Sequence, residues 1–178
     1  MTSVTVFGGS RVEPDSDEYL AAQELGRALA QRGFTVVTGG YNGIMEAVSR
    51  GAHDVGGHVI GVTVDVIAKN LDRVPNSFVK QEVRTAALLE RIDKLIELAD
   101  AYVVLPGGAG TLVELGAVWN LALLGALQNK PIVVVGAGWE RVLRTMVAEL
   151  HTIDADLRWL TFAPDVDRAV EMLATVLT

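Results

Sequence analysis

The stretch Pro106-Gly107-Gly108-Ala109-Gly110-Thr111-Leu112-Val113-Glu114 is the part of the chain from which the fold follows. It comes directly after the apolar run 101–105, which is typical of a buried strand, and it opens into apolar residues at helical spacing. A glycine-rich turn between a strand and a helix leaves backbone N–H groups without intrahelical partners, and the helix dipole adds positive charge there. The stretch therefore predicts a site for a phosphate or another small anion.

Each residue type in this loop suits that role. Gly107, Gly108 and Gly110 let an anion approach the backbone closely, and Thr111 adds a hydroxyl. Glu114 lies about one helical turn further on, where its carboxylate would face whatever the phosphate carries. A plain tight turn is the alternative, because such turns also form without a ligand and a glutamate in a first helical turn complements the dipole.

Two common nucleotide signatures are missing. The pattern Gly-x-x-x-x-Gly-Lys-Ser/Thr occurs nowhere, and Val113 stands where a dinucleotide fingerprint needs its third glycine. The sequence therefore argues against a nucleotide triphosphatase and against a nicotinamide or flavin dinucleotide.

Composition narrows the remaining classes of protein. The chain has 178 residues, 18 glycines, no cysteine and a formal net charge of −7, which predicts a single domain over 1–178 and no nucleic-acid surface. There is no long apolar run for a membrane span and no leader before the first strand, so we expect a cytoplasmic protein. No cluster of histidine, aspartate and glutamate residues has the spacing of metal ligands, and we therefore expect no metal.

Strand-like and helix-like segments alternate along the whole chain. Continuous apolar strands such as Ile132–Val135 are typical of a parallel sheet that is covered on both faces. The pattern predicts an α/β fold with a Rossmann-like, doubly wound parallel sheet in a three-layer α/β/α sandwich. We expect a loose segment over 65–77, a short strand over 78–83 and a motif helix that extends to about Leu127.

Three glycine-rich turns follow predicted strands, at 8–10, 39–43 and 107–110. The carboxyl ends of parallel strands meet at one edge of a sheet, so these turns should converge on one crevice. The residues that we predict to bind a phosphate there are Gly107, Gly108, Gly110, Thr111, Gly40, Asn42, Gly43 and Ser10.

Arg91 lies on the predicted helix before the motif strand, among apolar residues. Leu88, Leu95 and Leu98 look like core positions of this helix, and Leu89 widens its apolar face. By periodicity alone, a solvated or snorkelling arginine is the more frequent outcome at such a position.

These residues resemble the LOG (Lonely Guy) family, which has also been labelled lysine decarboxylase. The family signature Pro-Gly-Gly-x-Gly-Thr-x-x-Glu is matched in full by Pro106–Glu114, and the family carries an arginine about fifteen residues earlier, where Arg91 stands. The resemblance covers roughly residues 4–135.

The resemblance implies a nucleoside 5′-monophosphate phosphoribohydrolase. Such an enzyme cleaves the N-glycosidic bond of a purine nucleotide, either a cytokinin type or AMP, to base and ribose 5-phosphate. Glu114 and Arg91 would be the catalytic pair, the glycine loops would hold the phosphate, and no metal or cofactor would be needed.

The chain departs from the family beside Arg91, where Leu88, Leu89 and Ile92 replace the usual Met, His and Lys. Related molybdenum cofactor carrier-like proteins share the fold, so a non-catalytic carrier of a phosphorylated cofactor or nucleotide is the alternative. Both functions imply a homodimer, because the motif helix carries Trp119, Leu123, Leu124 and Leu127 beyond its core face.

Overall fold

A computed structural model of the chain describes residues 2–150 and 154–177. Its strands are β1 (Ser3–Phe7), β2 (Thr35–Thr38), β3 (Val59–Val64), β4 (Gln81–Thr85), β5 (Ala101–Val104), β6 (Ile132–Val135) and β7 (Leu160–Ala163). Its α-helices are α1 (Asp17–Gln31), α2 (Ile44–Asp54), α3 (Asp65–Leu71), α4 (Leu88–Glu97), α5 (Ala109–Leu123), α6 (Ala137–Glu149) and α7 (Val166–Val176). A 3₁₀ helix covers Asp154–Trp159.

The seven strands form one parallel sheet in the order β4-β3-β2-β1-β5-β6-β7. Strand β1 pairs with β2 on one side and with β5 on the other, so the direction of winding reverses between β1 and β5. Loops that leave these two strands run in opposite directions and open a crevice at their carboxyl ends. The predicted Rossmann-like, doubly wound α/β sheet is confirmed.

The two faces of the sheet carry separate hydrophobic cores. Along β1, Val4 and Val6 pack with α1, α2 and α7, whereas Phe7 packs on the opposite face with residues of α4, α5 and α6. This alternation follows from the period of two in a strand. The helices therefore form two layers around the sheet, as in a three-layer sandwich.

Three elements differ from the sequence prediction. The segment expected to be loose begins with helix α3, whose first residue is Asp65, a carboxylate that complements the helix dipole. The helix ends at Leu71, because the next residue, Asp72, lies in the left-handed region. Strand β4 starts at Gln81 rather than at residue 78, because a turn closed by Val79 N–H and Asn76 O precedes it. Helix α5 ends at Leu123 rather than near residue 127, because Gly125 takes a φ of +71°.

Helices α1 and α2 pack closely through two glycines. A Cβ added at Gly51 would overlap the carbonyl oxygen of Gln23, and one added at Gly26 would overlap that of Val48. This contact sets α2 against α1 and so fixes where the loop before α2 lies. In the part of the chain that the structure describes, no helix has both the length and the apolarity to cross a membrane.

We expect Gly51→Ala to lower the free energy of unfolding by about 1–3 kcal/mol, because the added methyl group must push the two helices apart. The matched control is Gly116→Ala on α5, where a Cβ would meet no atom within 4 Å. That control should raise stability by up to about 1 kcal/mol through helix propensity. Urea unfolding measures both, and equal effects of the two substitutions would contradict the close α1–α2 contact.

Candidate active site

A cavity of about 1120 Å³ opens at the carboxyl ends of the strands. Its walls come from the loops after β1, β2, β5, β6 and β7, from residues of helices α1 to α5 and α7, and from Arg73 after α3. It therefore lies at the reversal of winding between β1 and β5, which is where ligands bind in sheets of this kind.

The signature loop forms one wall of this cavity. Gly9 N–H donates to Pro106 O at 3.0 Å, which joins the loops after β1 and β5, and a side chain at Gly107 would overlap Thr111. Leu112 N–H donates to Gly108 O, so the N–H groups of the helix before it lack intrahelical partners. The first turn of α5 thus presents backbone donors and a positive dipole end to the cavity.

The loop over 39–43 does not line the cavity with its predicted phosphate residues. Gly43 packs against the 9–10 backbone, and Ile44 N–H, at the start of α2, donates to Gly9 O at 2.9 Å. Gly40 O accepts a hydrogen bond from Asn76 N–H, and the side chain of Asn42 is exposed. Gly40, Asn42 and Gly43 therefore belong to a loop that supports the loop after β1.

The cavity walls do include the other predicted residues, which come from three separate stretches of the chain. They are Ser10, Arg91, Gly107, Gly108, Gly110, Thr111 and Glu114.

Arg91 is buried beneath the cavity, with 6% of its surface exposed. Its Nε donates to Val62 O at 2.8 Å and its Nη2 donates to Gly39 O at 3.1 Å. A side chain at Gly39 would occupy the space of the guanidinium, so this glycine makes the burial sterically feasible. The alternative of a solvated or snorkelling arginine is wrong, because two backbone carbonyls, one on β3 and one directly after β2, compensate for the lost water.

Glu114 lies beside Arg91 in the wall of the cavity. Its Oε1 lies 3.6 Å from Arg91 Nη1, and only 12% of the glutamate side chain is exposed. Burial raises the pKa of Glu114 from 4.5 to about 7, and the nearby guanidinium offsets only part of that rise. Burial also lowers the pKa of Arg91, but an arginine keeps its charge at any physiological pH. The cavity thus holds a fixed cation beside a carboxylate that titrates near neutrality.

Tyr41 is a residue of the site that the sequence did not reveal. Its ring lies 5.6 Å from the Arg91 guanidinium carbon, within the range of a cation–π contact. Its hydroxyl donates to Val64 O and accepts from Val64 N–H, which fixes the ring against β3. A single tyrosine in a glycine-rich turn follows no sequence pattern from which its contact with Arg91 could be predicted.

The apolar residues around Arg91 are also placed differently from the prediction. Leu88, which the pattern places in the core, is 47% exposed and borders the cavity, and Leu89, which the pattern uses to widen the apolar face, is 75% exposed. The helix starts only at Leu88, and its buried face runs through Arg91, Ile92 and Leu95. Because the buried face includes the charged Arg91, the apolar pattern of this segment predicts the wrong face.

No group of three or more histidine, aspartate and glutamate side chains in the described residues is placed to hold a metal ion. Among the donors on the cavity walls are backbone N–H groups, the hydroxyl of Thr111 and the guanidinium groups of three arginines, and all of them suit an anionic ligand. The arginines are Arg11, Arg73 and Arg91.

Sequence comparison points to one family. A family model described as the SLOG cluster4 family matches residues 1–158. A rice (Oryza sativa subsp. japonica) protein named cytokinin riboside 5′-monophosphate phosphoribohydrolase LOG is 36% identical over 139 residues, which cover 72% of this chain and 52% of the rice protein. A Mycobacterium marinum protein named cytokinin riboside 5′-monophosphate phosphoribohydrolase is 36% identical over 131 residues, which cover 72% and 68%. The chain therefore spans about half the length of the rice relative.

Structural comparison agrees on the fold. The X-ray structure of a protein called TM1055 is 28% identical with a TM-score of 0.78, covering 99% of this chain and 100% of the other. The molybdenum cofactor binding protein of Rippkaea orientalis has the same TM-score at 22% identity, covering 99% and 98%. At that identity the second likeness shows the shared fold alone.

The raised pKa of Glu114 makes stability depend on pH. The folded protein keeps a proton that the unfolded chain releases between pH 4.5 and about 7, so the stabilisation is complete below that window and is lost as the pH rises through it. We expect the wild type to lose ~3 kcal/mol more than Glu114→Gln between about pH 4 and about pH 8. Urea unfolding at both pH values measures the difference, and the same pH dependence in both proteins would contradict the shift.

Proposed function

This chain belongs to the SLOG cluster4 family, and from that membership and the geometry of the cleft we propose that it is a nucleoside 5′-monophosphate phosphoribohydrolase. Its substrate would be a purine nucleotide, either AMP or a cytokinin type, and the reaction would take place in the cytoplasm. The buried pair of Arg91 and Glu114 beside the glycine loop is the observation that carries the proposal. The names of the curated relatives support the same reaction.

The glycine loop would hold the 5′-phosphate. Backbone N–H groups in the first turn of α5 and the Thr111 hydroxyl bind its oxygens, and Ser10 faces them from the loop after β1. Glu114 lies four residues after Gly110 on the same helix, so a ribose attached to the phosphate extends toward its carboxylate.

Glu114 would act on the ribose. When the bond between C1′ and the purine nitrogen breaks, its electron pair leaves with the base and positive charge develops on the ribose ring. An ionised carboxylate stabilises that charge and orients the water that attacks C1′. The water oxygen becomes the new hydroxyl of ribose 5-phosphate, and its proton is released as the base takes up one from solvent.

Arg91 would position this carboxylate. Its guanidinium is fixed by two carbonyls and by Tyr41, so it offers Glu114 a cation that does not move. Without this cation, burial would hold the carboxyl protonated to a still higher pH, where it stabilises no positive charge.

We further propose a homodimer formed through α4 and the start and end of α5. Trp119 and Leu127, which we had assigned to this surface, are buried within the subunit, and Trp119 Nε1 donates to Asp156 O at 3.0 Å. The apolar side chains that remain exposed on these two helices are Leu88, Leu89, Leu112, Val113, Leu123 and Leu124. Since Leu88 also borders the cavity, a partner on this surface would lie beside the base end of the site.

The activity is tested by incubating the purified protein with AMP and with isopentenyladenosine monophosphate. We expect wild type to release free base and Glu114→Gln to release it at least ~100-fold more slowly, because the glutamine cannot carry the negative charge. Chromatography of the base gives the rate, and kcat/KM should rise with pH through about 7 as Glu114 ionises.

Glu171→Gln is the matched control for that experiment, since this glutamate is exposed on α7 and pairs only with Arg168. Its rate should equal that of wild type. If neither nucleotide loses its base while both still bind, the protein is a non-catalytic carrier of a phosphorylated cofactor or nucleotide.

The dimer is tested by light scattering after size exclusion. We expect Leu89→Glu to give monomers at concentrations where wild type is dimeric, because the new charge would be buried in the contact. Val74→Glu is the control, since Val74 is also 75% exposed but lies outside α4 and α5. A wild type that is itself monomeric would disprove the dimer.

A further inference from the structure

The residues between β3 and β4 contribute part of the cavity wall. We call residues 65–75 the α3 segment, because helix α3 opens it. Ile67 and Arg73 of this segment line the cavity, so it brings one apolar and one cationic side chain to the site. Val66 and Val74 are exposed, at 41% and 75%. A segment that buries so little of its own apolar surface needs contacts at its ends to hold it in place.

Tyr41 holds the start of the α3 segment. The tyrosine hydroxyl accepts a hydrogen bond from Val64 N–H at 2.9 Å and donates one to Val64 O at 3.1 Å, and Val64 is the residue directly before α3. Only 1% of Tyr41 is exposed, so water does not compete for these two bonds. The hydroxyl therefore fixes the point at which the chain leaves β3.

Asn76 holds the end of the α3 segment on the same loop. Its backbone N–H donates to Gly40 O at 2.8 Å, and its side-chain amide donates to Gly40 O at 3.1 Å and to Tyr41 O at 3.0 Å. The oxygen of that amide accepts from Phe78 N–H, which orients the group. Both ends of the α3 segment are thus fastened to two successive residues of the loop after β2.

The loop after β2 also holds Arg91. Gly39 O accepts a hydrogen bond from the guanidinium, and the ring of Tyr41 lies 5.6 Å from its central carbon. Three successive backbone carbonyls, at residues 39 to 41, therefore bind either the arginine or the asparagine that follows the α3 segment. The wall that carries Arg73 and the buried cation of the site are placed by one short loop.

We propose that the hydroxyl of Tyr41 is a positioning group, which sets the α3 segment and Arg73 against the cavity before substrate binds. The proposal rests on the proposed function, because the substrate that this wall meets is the nucleotide. A wall that is already in place needs no ordering on binding, whereas a binding-competent state that is only partly populated weakens the affinity by its fraction. The hydroxyl of Tyr41 therefore acts on substrate affinity, and its ring acts on Arg91.

Tyr41→Phe separates these two contacts, because phenylalanine keeps the ring and lacks the hydroxyl. We expect KM for AMP to rise about tenfold, since two hydrogen bonds to Val64 are lost. Both kcat and the pH dependence of kcat/KM should stay as in wild type, because the ring still contacts Arg91. In hydrogen-exchange mass spectrometry, the amides of residues 65–75 should exchange at least ~10-fold faster than in wild type, and those of β5 should not change.

Tyr102→Phe is the matched control for the loss of a buried hydroxyl. The hydroxyl of Tyr102 also donates to a backbone carbonyl, Ile96 O at 2.9 Å, but this tyrosine lies on β5 outside the cavity walls. Its substitution should change neither KM nor the exchange of residues 65–75.

Asn76→Ala releases the other end of the α3 segment and should reproduce the rise in KM and the faster exchange. It provides a second test if Tyr41→Phe does not fold. Asn70→Ala is its control, because Asn70 is an exposed asparagine within the same segment. Arg73→Gln should raise KM in wild type and much less in Tyr41→Phe, since the hydroxyl acts through the position of Arg73.

Four results would overturn the proposal. They are unchanged exchange of residues 65–75 in Tyr41→Phe, an unchanged KM, a fall in kcat in place of the rise in KM, or an equal rise in KM in Tyr102→Phe. Hydrogen exchange needs no nucleotide, so it separates this proposal from the proposed function. If the wild type releases no base, the proposed function is wrong, and the affinity for AMP measured by calorimetry takes the place of KM in deciding the role of Tyr41.

Discussion

The burial of one guanidinium determines how this cleft is built. Arg91 donates to carbonyls on two loops or strands that are 29 and 52 residues away in sequence, and its charge lies 3.6 Å from Glu114. Burying an isolated cation is costly, so each of these acceptors is needed to keep it in place. The absence of a side chain at Gly39 and the ring of Tyr41 complete the space around it. Strand β3, the 39–43 loop and helices α4 and α5 therefore depend on the same ion pair.

The ion pair and the glycine loop divide the tasks of the site. Under the proposed function, the first turn of α5 supplies backbone donors that need no charged side chain, which would allow a chain with a net charge of −7 to hold an anion locally. Glu114 lies on the same helix, but there burial disfavours a negative charge. The carboxyl therefore keeps its proton until about neutral pH. One helix thus presents an anion site and a titrating carboxylate one turn apart. That spacing is fixed by the helix and does not depend on loop motion.

The sequence predicted the parts of this arrangement that are local. The alternation of strands and helices, the turn at Gly107–Gly110 and the spacing to Glu114 are all set within a few residues, and each is as expected. The failures concern contacts between distant segments. Nothing near Leu88 or Leu89 in the sequence indicates that this helix buries Arg91 and exposes these two leucines, because the acceptors that make the burial feasible lie on β3 and after β2.

The supporting role of the 39–43 loop was hidden for the same reason. Its glycines follow the same pattern as those of the signature loop. However, Ile44 N–H at the start of α2 already donates to Gly9 O, so this donor is used within the protein and is not offered to a ligand. A glycine pattern predicts a turn, and only the packing between loops tells which turn faces the ligand.

The central claim is that a buried carboxyl beside Arg91 titrates near neutrality, and an NMR titration of the Glu114 side-chain carboxyl carbon tests it most directly. We expect the resonance that is lost in Glu114→Gln to titrate with a pKa of about 7 in the wild-type protein. A pKa at the ordinary value of 4.5 would show that water or the Arg91 guanidinium offsets the effect of burial in full, and the electrostatic basis of the site would then be wrong.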